Sequence, residues 1–557
     1  MSLGQATTIL ESLSALPQGQ ARGYTFRAAD GSERFFAFED VKRLAEARAA
    51  RLQALGLAKG DRVALVIADP AEFVLTFLGA VCGGMVPVPI YPRASFKAKN
   101  SYAETIRHVV ASAESQALIT TDATAEILVE AGVDTQVSHF VTLEKLLAGE
   151  PGNYEQPEIT PADLCFLQFT SGSTAMPKGV MVTHANLIAN ARDFLGPHGL
   201  DRRPDDVGLT WLPLYHDMGL IGFVLATLIC DIPVYFIPTE SFARRPGMWL
   251  ELATERKATI LFAPNFAYAL ATKRVRDKDL ASLDLSRVRI AGCGAEPINP
   301  GVMRAFAQRF ESVGFSAQAL MPCYGMAEAT LAVTFTPHGS GVRTDLVETE
   351  ALRAGQATPA INQEPTTEVV SCGIPFPSTQ VTVVDDQGTR LGERQVGELV
   401  VEGPGVAAGY YRNPELTAAS FPEGRLRTGD LGYMAEGHVY VCGRAKDLII
   451  IRGANIHPQD IEWTVAEVEG VRRDNVVAFS VMQDGEEQLV IAAEGNWSNA
   501  ATLRQQIARR VAEVHSLKVA HVAIVKLGSL PKTSSGKVQR RRTRALYETR
   551  SLEDAPE

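Results

Sequence analysis

Along the first two thirds of the chain, short β-branched and aliphatic runs alternate with amphipathic stretches, the pattern of layered α/β architecture. The run Val63-Ala64-Leu65-Val66-Ile67 has no polar position and marks a buried strand, with a helix following over 71–84. Further strands are predicted over 117–120 and 165–169. A helix over 184–194 opens behind Thr183, whose hydroxyl suits an N-cap. Strand signals return over 234–237, 259–262 and 288–291, each close to a proline or glycine turn.

After about residue 370 the pattern shifts to short strands, over 381–384, 396–401 and 439–441, separated by glycine and proline. Beyond Arg444 a compact unit is predicted: strands over 448–451, 476–481, 488–492 and 522–525, and helices over 458–468 and 501–514. The polar break Gly443-Arg444-Ala445-Lys446-Asp447 places a boundary near Lys446. The expected fold is therefore α/β. A large domain spans 1–445, with a β-rich subdomain at about 371–445, and a small C-terminal α+β domain spans 446–557. A length of 557 residues also exceeds what one core supports.

Composition narrows the classes. Hydrophobic residues at 46% and charged residues at 21% are ordinary for a soluble globular protein. A net charge of −10 argues against a general nucleic-acid binder, because counterion release requires basic surface. None of the cysteines shows CxxC spacing, so neither zinc nor a redox dithiol is indicated, and buried free thiols fit a reducing compartment. No basic region precedes an apolar core near Met1, so no secretory signal is read. The longest apolar run, 220–236, is interrupted by Asp231 and Pro233, and no stable membrane insertion is expected. The expected location is cytoplasmic.

Candidate chemistry begins at Phe169-Thr170-Ser171-Gly172-Ser173-Thr174-Ala175-Met176-Pro177-Lys178-Gly179-Val180, after one strand and before a helix. Hydroxyls and small residues let N–H and O–H groups converge on phosphate oxygens, while Lys178 adds charge. It is not a Walker loop, because Lys178 follows Pro177 and precedes Gly179. Ser/Thr/Gly loops are also common turn material, so this segment alone decides little.

The segment resembles the phosphate-gripping signature of the adenylate-forming superfamily, which includes acyl-CoA synthetases, peptide-synthetase adenylation domains and luciferases. Other matches follow in the family's order. They are Trp211 to Leu220, Gly294-Ala295-Glu296-Pro297, Tyr324-Gly325-Met326-Ala327-Glu328, Arg427 to Gly432, Gly443 to Asp447, and Pro531-Lys532-Thr533-Ser534-Ser535-Gly536-Lys537. What the resemblance implies is attack of a carboxylate on the α-phosphate of ATP. Two anions must meet, so fixed dipoles and cations carry most of the catalysis.

By the same resemblance, the catalytic residues are Lys537, His216 and Glu328. Lys537 bridges the acid and the phosphate, and its Gly/Ser-rich loop suits delivery by domain closure. Glu328 corresponds to the Mg2+ position, where a hard carboxylate fits an oxygen-loving ion. His216 stands near the acid. Nucleotide contacts are assigned to Thr170, Ser171, Gly172, Ser173, Thr174, Lys178, Gly294, Ala295, Glu296, Tyr324, Gly325, Met326, Asp430 and Arg444. Of these, Tyr324 stacks on adenine and Asp430 accepts from the ribose hydroxyls.

Within the superfamily the chain looks most like fatty acyl-AMP ligases. Ala327 replaces the usual hydroxyl residue, Val86-Pro87-Val88-Pro89-Ile90-Tyr91-Pro92 is proline-rich, and an extra segment at about 339–370 precedes Gly373. That resemblance implies a fatty acid substrate and transfer of the acyl group to the phosphopantetheine thiol of a separate acyl carrier protein. The alternative is a fatty acyl-CoA synthetase using free coenzyme A. A basic run, Lys537, Arg540, Arg541, Arg542 and Arg544, is a candidate surface for an acidic carrier, though a solvated helix face reads the same way. Stretch 221–228 reads as core rather than as the lining of an acyl tunnel. Ala175 departs from the family's glycine and is expected to stiffen the loop.

Overall fold

The computed structural model describes residues 6–17, 19, 22–92, 99–170, 176–361, 365–451, 454–483, 486–533 and 537–556. The chain forms two compact units. The first comprises Met1–Arg343, Val370–Val381 and Val400–Thr428; the second comprises Thr344–Val369, Thr382–Leu399 and Gly429–Glu557.

The described part of the first unit is built on two largely parallel sheets. One has nine strands in the order Ile374–Pro375, Ala332–Phe335, Leu320–Gly325, Ile290–Cys293, Ile260–Ala263, Gly208–Thr210, Val234–Phe236, Gly23–Arg27 and Glu33–Ala37. The strands from Leu320–Gly325 through to Gly23–Arg27 are parallel, and the outer pairings are antiparallel. Helices cover the sheet, so its central strands are apolar throughout, as parallel strands buried on both faces require.

The second sheet runs Val86–Pro89, Arg62–Val66, Ala117–Thr120, His139–Thr142, all parallel. Val86–Pro89 is an edge strand, the place where Pro87 and Pro89 cost the ladder no needed donor. Apolar side chains of this sheet, Val66, Val88 and Leu118 among them, share a core with Ile106 and Val110 of the helix Lys99–Ala113. Leu164–Thr170 and Lys178–Thr183 pair antiparallel, and the helix His184–Leu195 follows. Thr183 caps that helix as expected: its hydroxyl accepts from the Asn186 amide (3.1 Å), and the Asn186 side chain accepts in return.

In the second unit, His438–Arg444 pairs antiparallel with Leu426–Ala435 from Asp430 onward. A three-stranded sheet of Val471–Gln483, Glu486–Gly495 and Val519–Val525 carries the helices Pro458–Ala466, Ala500–His515 and Arg540–Glu548. Ile461, Ile507, Val511 and Ile491 form its dry centre. The extra segment expected at about 339–370 carries secondary structure among its described residues. Thr344–Glu348 and Thr366–Val370 form a two-stranded ribbon with the helix Thr349–Arg353 between them. Val347, Leu352 and Val369 pack on Tyr433 and Tyr440. Asp345 accepts from the Tyr433 hydroxyl and from Arg394, both at 2.8 Å.

The apolar run 220–236 is cut into the short helix Asp217–Leu220, a π-helical turn Ile221–Leu225, the helix Ala226–Ile229 and the strand Val234–Phe236. No helix among the described residues is long and apolar enough to cross a membrane.

Candidate active site

Within the first unit, Gly294, Ala295, Tyr324 and Gly325 lie at or just past the C-terminal ends of parallel strands, where open α/β sheets bind ligands, whereas Thr170 and Lys178 lie on an antiparallel hairpin. Thr170 ends one strand of the hairpin and pairs with Lys178, which begins the other. Ser171, Gly172, Ser173, Thr174 and Ala175 lie outside the described residues. The Lys178 ammonium lies 5.4 Å from the ring centre of Tyr410, at cation–π distance. On the far end of the same side chain, the Tyr410 hydroxyl donates to Glu328 Oε1 (2.9 Å). Tyr410 thus connects the lysine that flanks the hydroxyl-rich loop with the carboxylate assigned to Mg2+.

Backbone bonds fix this arrangement. The Tyr411 amide donates to the Gly179 carbonyl (2.8 Å), and Ala407 donates to the Glu328 carbonyl (2.9 Å). Thr330, buried and left-handed (φ 65°), donates through its hydroxyl to the Gly405 carbonyl (2.7 Å). Sequence reasoning did not find Tyr410. The signal was Gly409-Tyr410-Tyr411, with Gly409 at φ 116°, in which an aromatic pair follows a bend.

Gly294 must be glycine, because a Cβ there would lie 2.7 Å from Cys323 Sγ. At Gly325 a Cβ would lie 1.9 Å from the Leu331 carbonyl oxygen. These close approaches bring Ala295, Tyr324 and Gly325 to one rim, and Met326 follows them in the chain without lining it. Ala295 holds a left-handed backbone (φ 68°), a strain of the kind that collects at functional sites. Glu296 is engaged inside the protein, accepting from the Phe266 amide (2.7 Å). Tyr324 is mostly buried at 8% exposure, so only part of its ring faces outward.

His216 stands before the helix Asp217–Leu220 with its side chain 29% exposed. Gln168 positions that turn by donating to the Tyr215 carbonyl (2.9 Å). Burial pushes the Tyr215 hydroxyl up, so it remains a neutral phenol beside His216. Below this rim opens an apolar pocket. Asp217, Ala295, Tyr324 and Gly325 line the mouth side, and Phe223 and Phe262 line the interior. Gly292 pairs with Phe262 and leaves room for its ring, which a Cβ would meet at 2.0 Å. Stretch 221–228, for which the sequence favours core over a tunnel lining, contributes Gly222, Phe223 and Thr227 to the wall.

The second unit holds the remaining predicted residues. Asp430 and Arg444 face each other across a strand pair, with Arg444 Nε 3.0 Å from Asp430 Oδ1. Asp430 is buried and Arg444 is half exposed, leaving the guanidinium accessible for a further partner. Lys537 is tied to Thr533: its amide donates to Thr533 Oγ1 (3.1 Å) and its carbonyl accepts from the Thr533 amide (2.8 Å).

The basic run after Lys537 is not one surface. Arg540 is turned inward, bonded to Asp447 (2.6 Å), Glu462 (2.8 Å) and the Ala478 carbonyl (3.1 Å). Burial alone would lower its pKa, and Glu462 and Asp447 reverse that, so the net shift is upward. Arg544 pairs with Glu548 on its own helix (2.8 Å).

A hydroxyl-rich loop flanked by Lys178, a glycine-narrowed rim and an apolar pocket on one α/β frame define an adenylate-forming ligase. The chain belongs to the AMP-binding enzyme family, whose sequence model matches residues 18–411. A second model, for the AMP domain of Disco-interacting protein 2-like proteins, matches residues 446–556. Among similar proteins, a candidate acyl-CoA synthetase of Caulobacter vibrioides is 38% identical, over 90% of this chain and 88% of that one. A medium-chain-fatty-acid–acyl-carrier-protein ligase of Moorena producens is 32% identical, over 98% and 96%. A solved structure from a study of fatty acyl-adenylate ligases of E. coli and L. pneumophila superposes with a TM-score of 0.92 at 34% identity, covering 98% of each chain.

Proposed function

We propose that this ligase joins a fatty acid to AMP, releasing pyrophosphate from ATP, and passes the acyl group to the phosphopantetheine thiol of a separate acyl carrier protein. One observation carries the choice of acid: the rim residues assigned to the nucleotide, Ala295, Tyr324 and Gly325, also border the mouth of the apolar cavity. A carboxylate at that mouth has its hydrocarbon chain in the cavity and its oxygen beside the nucleotide, as a near-attack arrangement requires.

In this reading, the carboxylate oxygen attacks the α-phosphorus, the bond to the bridging oxygen of pyrophosphate breaks, and pyrophosphate leaves with its electron pair. Lys178 and the loop after Thr170 hold the phosphates. His216 orients the acid, Asp430 accepts from the ribose hydroxyls, and Arg444 contacts the nucleotide. Lys537 neutralises charge on the acid and phosphate oxygens, brought in when the lobe after Lys446 closes. Mg2+ fits the residues present: Glu328 is a hard carboxylate steadied by Tyr410, suited to an oxygen-loving ion. Once bound, the ion would screen charge between the phosphates.

A carrier thiol as acceptor is supported by the carrier-protein ligase among the relatives and by the segment 344–369. That segment is tied to the strands bearing Asp430 and Arg444 through Asp345, and Arg353 reaches the His515 carbonyl (3.5 Å) beyond Lys446. By the resemblance to fatty acyl-AMP ligases, a segment of this kind restrains the lobe and so disfavours free coenzyme A. The acyl-CoA synthetase reading has its own support in the Caulobacter relative. Acid-dependent exchange of labelled pyrophosphate into ATP tests the first step. Incubation with ATP, Mg2+, acid and either coenzyme A or a holo carrier protein tests the second, and abundant acyl-CoA would refute the carrier assignment while leaving adenylation intact.

A further inference from the structure

The two ends of the apolar cavity differ. At the mouth, Asp217, Met218, Gly222, Ala295, Gly325 and Leu331 are partly or fully exposed. At the other end, Leu195, Leu200, Gly208, Thr227, Ile232 and Ile260 are all buried. The cavity is therefore blind. Its floor is braced as well: the Ile232 amide donates to the Thr227 carbonyl (2.9 Å), and Thr227 Oγ1 donates to the Phe223 carbonyl (2.7 Å). Behind Thr227 stands the fully buried Tyr24, which donates to the Val224 carbonyl (2.6 Å) and packs edge-on against Phe38 and Phe236. A chain cannot pass that aromatic wall without unpacking the core.

Strand register gives the depth. Gly208, Ile260 and Ile290 are aligned across the sheet, and Ala291 aligns with Leu320. Tyr324 thus stands five residue steps beyond the floor level, or roughly 16 Å at the rise of a strand. With carbon–carbon bonds near 1.5 Å in zigzag, that length holds an extended chain of roughly a dozen carbons.

We propose that this blind cavity selects medium-chain acids, with Ile232 and Leu200 at its floor setting the upper limit of length; the proposal rests on the acid-adenylation reading above. Past that limit each added methylene has no apolar place to go, and the carboxylate is pushed out of line with the nucleotide. Gly222 keeps the mouth open. A Cβ there would meet only Leu331 Cδ2 at 3.6 Å, whereas a longer side chain would cross the channel.

The test is pyrophosphate exchange by the full chain with straight saturated acids of about 4 to 18 carbons. Expected is a maximum in kcat/KM at about 8 to 12 carbons, falling roughly tenfold or more by 16. Ile232→Ala and Leu200→Ala should each move the maximum about two carbons longer, and Gly222→Leu should depress long acids more than short ones. Melting curves for each variant separate a changed floor from lost folding. Undiminished exchange with 16- and 18-carbon acids overturns the proposal, as does an unchanged profile in both floor variants while they remain folded. Exchange with no acid at all overturns the adenylation reading, and this proposal with it.

Discussion

The two units place their chemistry differently. In the first, Lys178, Glu328, Ala295 and Tyr324 are held by backbone geometry: strand ends, close glycine approaches and carbonyl bonds from Ala407 and Tyr411. In the second, Asp430 and Arg444 lie on antiparallel strands and Lys537 is tied to Thr533, and beside the unit's apolar centre Arg540 is paired inward with Glu462 and Asp447. A frame of parallel strands tolerates changes to the groups that line it, so the cavity can be retuned for a different acid. The inward ion pairs of Arg540 leave less room, because removing one partner leaves the others desolvated and unpaired.

The sharpest break in that comparison is Lys537→Ala. If the second unit's main contribution is one delivered cation, pyrophosphate exchange should fall about a hundredfold to a thousandfold, the scale for loss of one preorganised charge or donor. The melting curve should not move, since the backbone bonds between Lys537 and Thr533 survive. A fall of less than about threefold would mean that the first unit carries the step unaided. Next in size is Arg540→Ala. Loss of that guanidinium should cost about 3 kcal/mol or more, read as an earlier urea transition for the second unit, with the transition of the first unchanged. Equal shifts in both transitions would end the distinction drawn between the units.

Most of the fold was legible because parallel strands write themselves plainly: apolar runs at 63–67 and 117–120 need no partner to be recognised, and Thr183 announces its helix. The short antiparallel strands of the β-rich region were legible from their glycine and proline punctuation, and the helices Pro458–Ala466 and Ala500–His515 from their helical periodicity. The cavity was not. Its walls come from several separated segments, each of which reads as ordinary core, and only register brings Gly208 level with Ile260 and below Tyr324. The basic run misled in the opposite way: Arg540 looks like its neighbours in sequence, yet Glu462 and Asp447, 78 and 93 positions away, draw it inward. Site residues carried by family motifs were readable one by one, whereas Tyr410, which joins two of them, belongs to none of those motifs.

Tyr410→Phe is the smallest expected effect and the most direct probe of how the first unit holds its groups. The variant keeps the ring under Lys178 and deletes only the hydroxyl that donates to Glu328. A hydrogen bond to a charged acceptor is worth about 1.5–3 kcal/mol net, and Glu328 is partly exposed, so kcat/KM for ATP should fall roughly tenfold, at the low end of that range, with a higher Mg2+ concentration needed for half-maximal rate. Thermal stability should stay near that of the parent, because the strand contacts at Gly179 and Gly409 do not involve the hydroxyl. If the Mg2+ dependence is unchanged, Glu328 is positioned by its own backbone, through Ala407 and the strained turn at Thr330, and the side-chain link is incidental. A changed Mg2+ dependence with unaltered melting would instead show that even in the backbone-framed unit the final orientation of the carboxylate depends on a single side-chain donor.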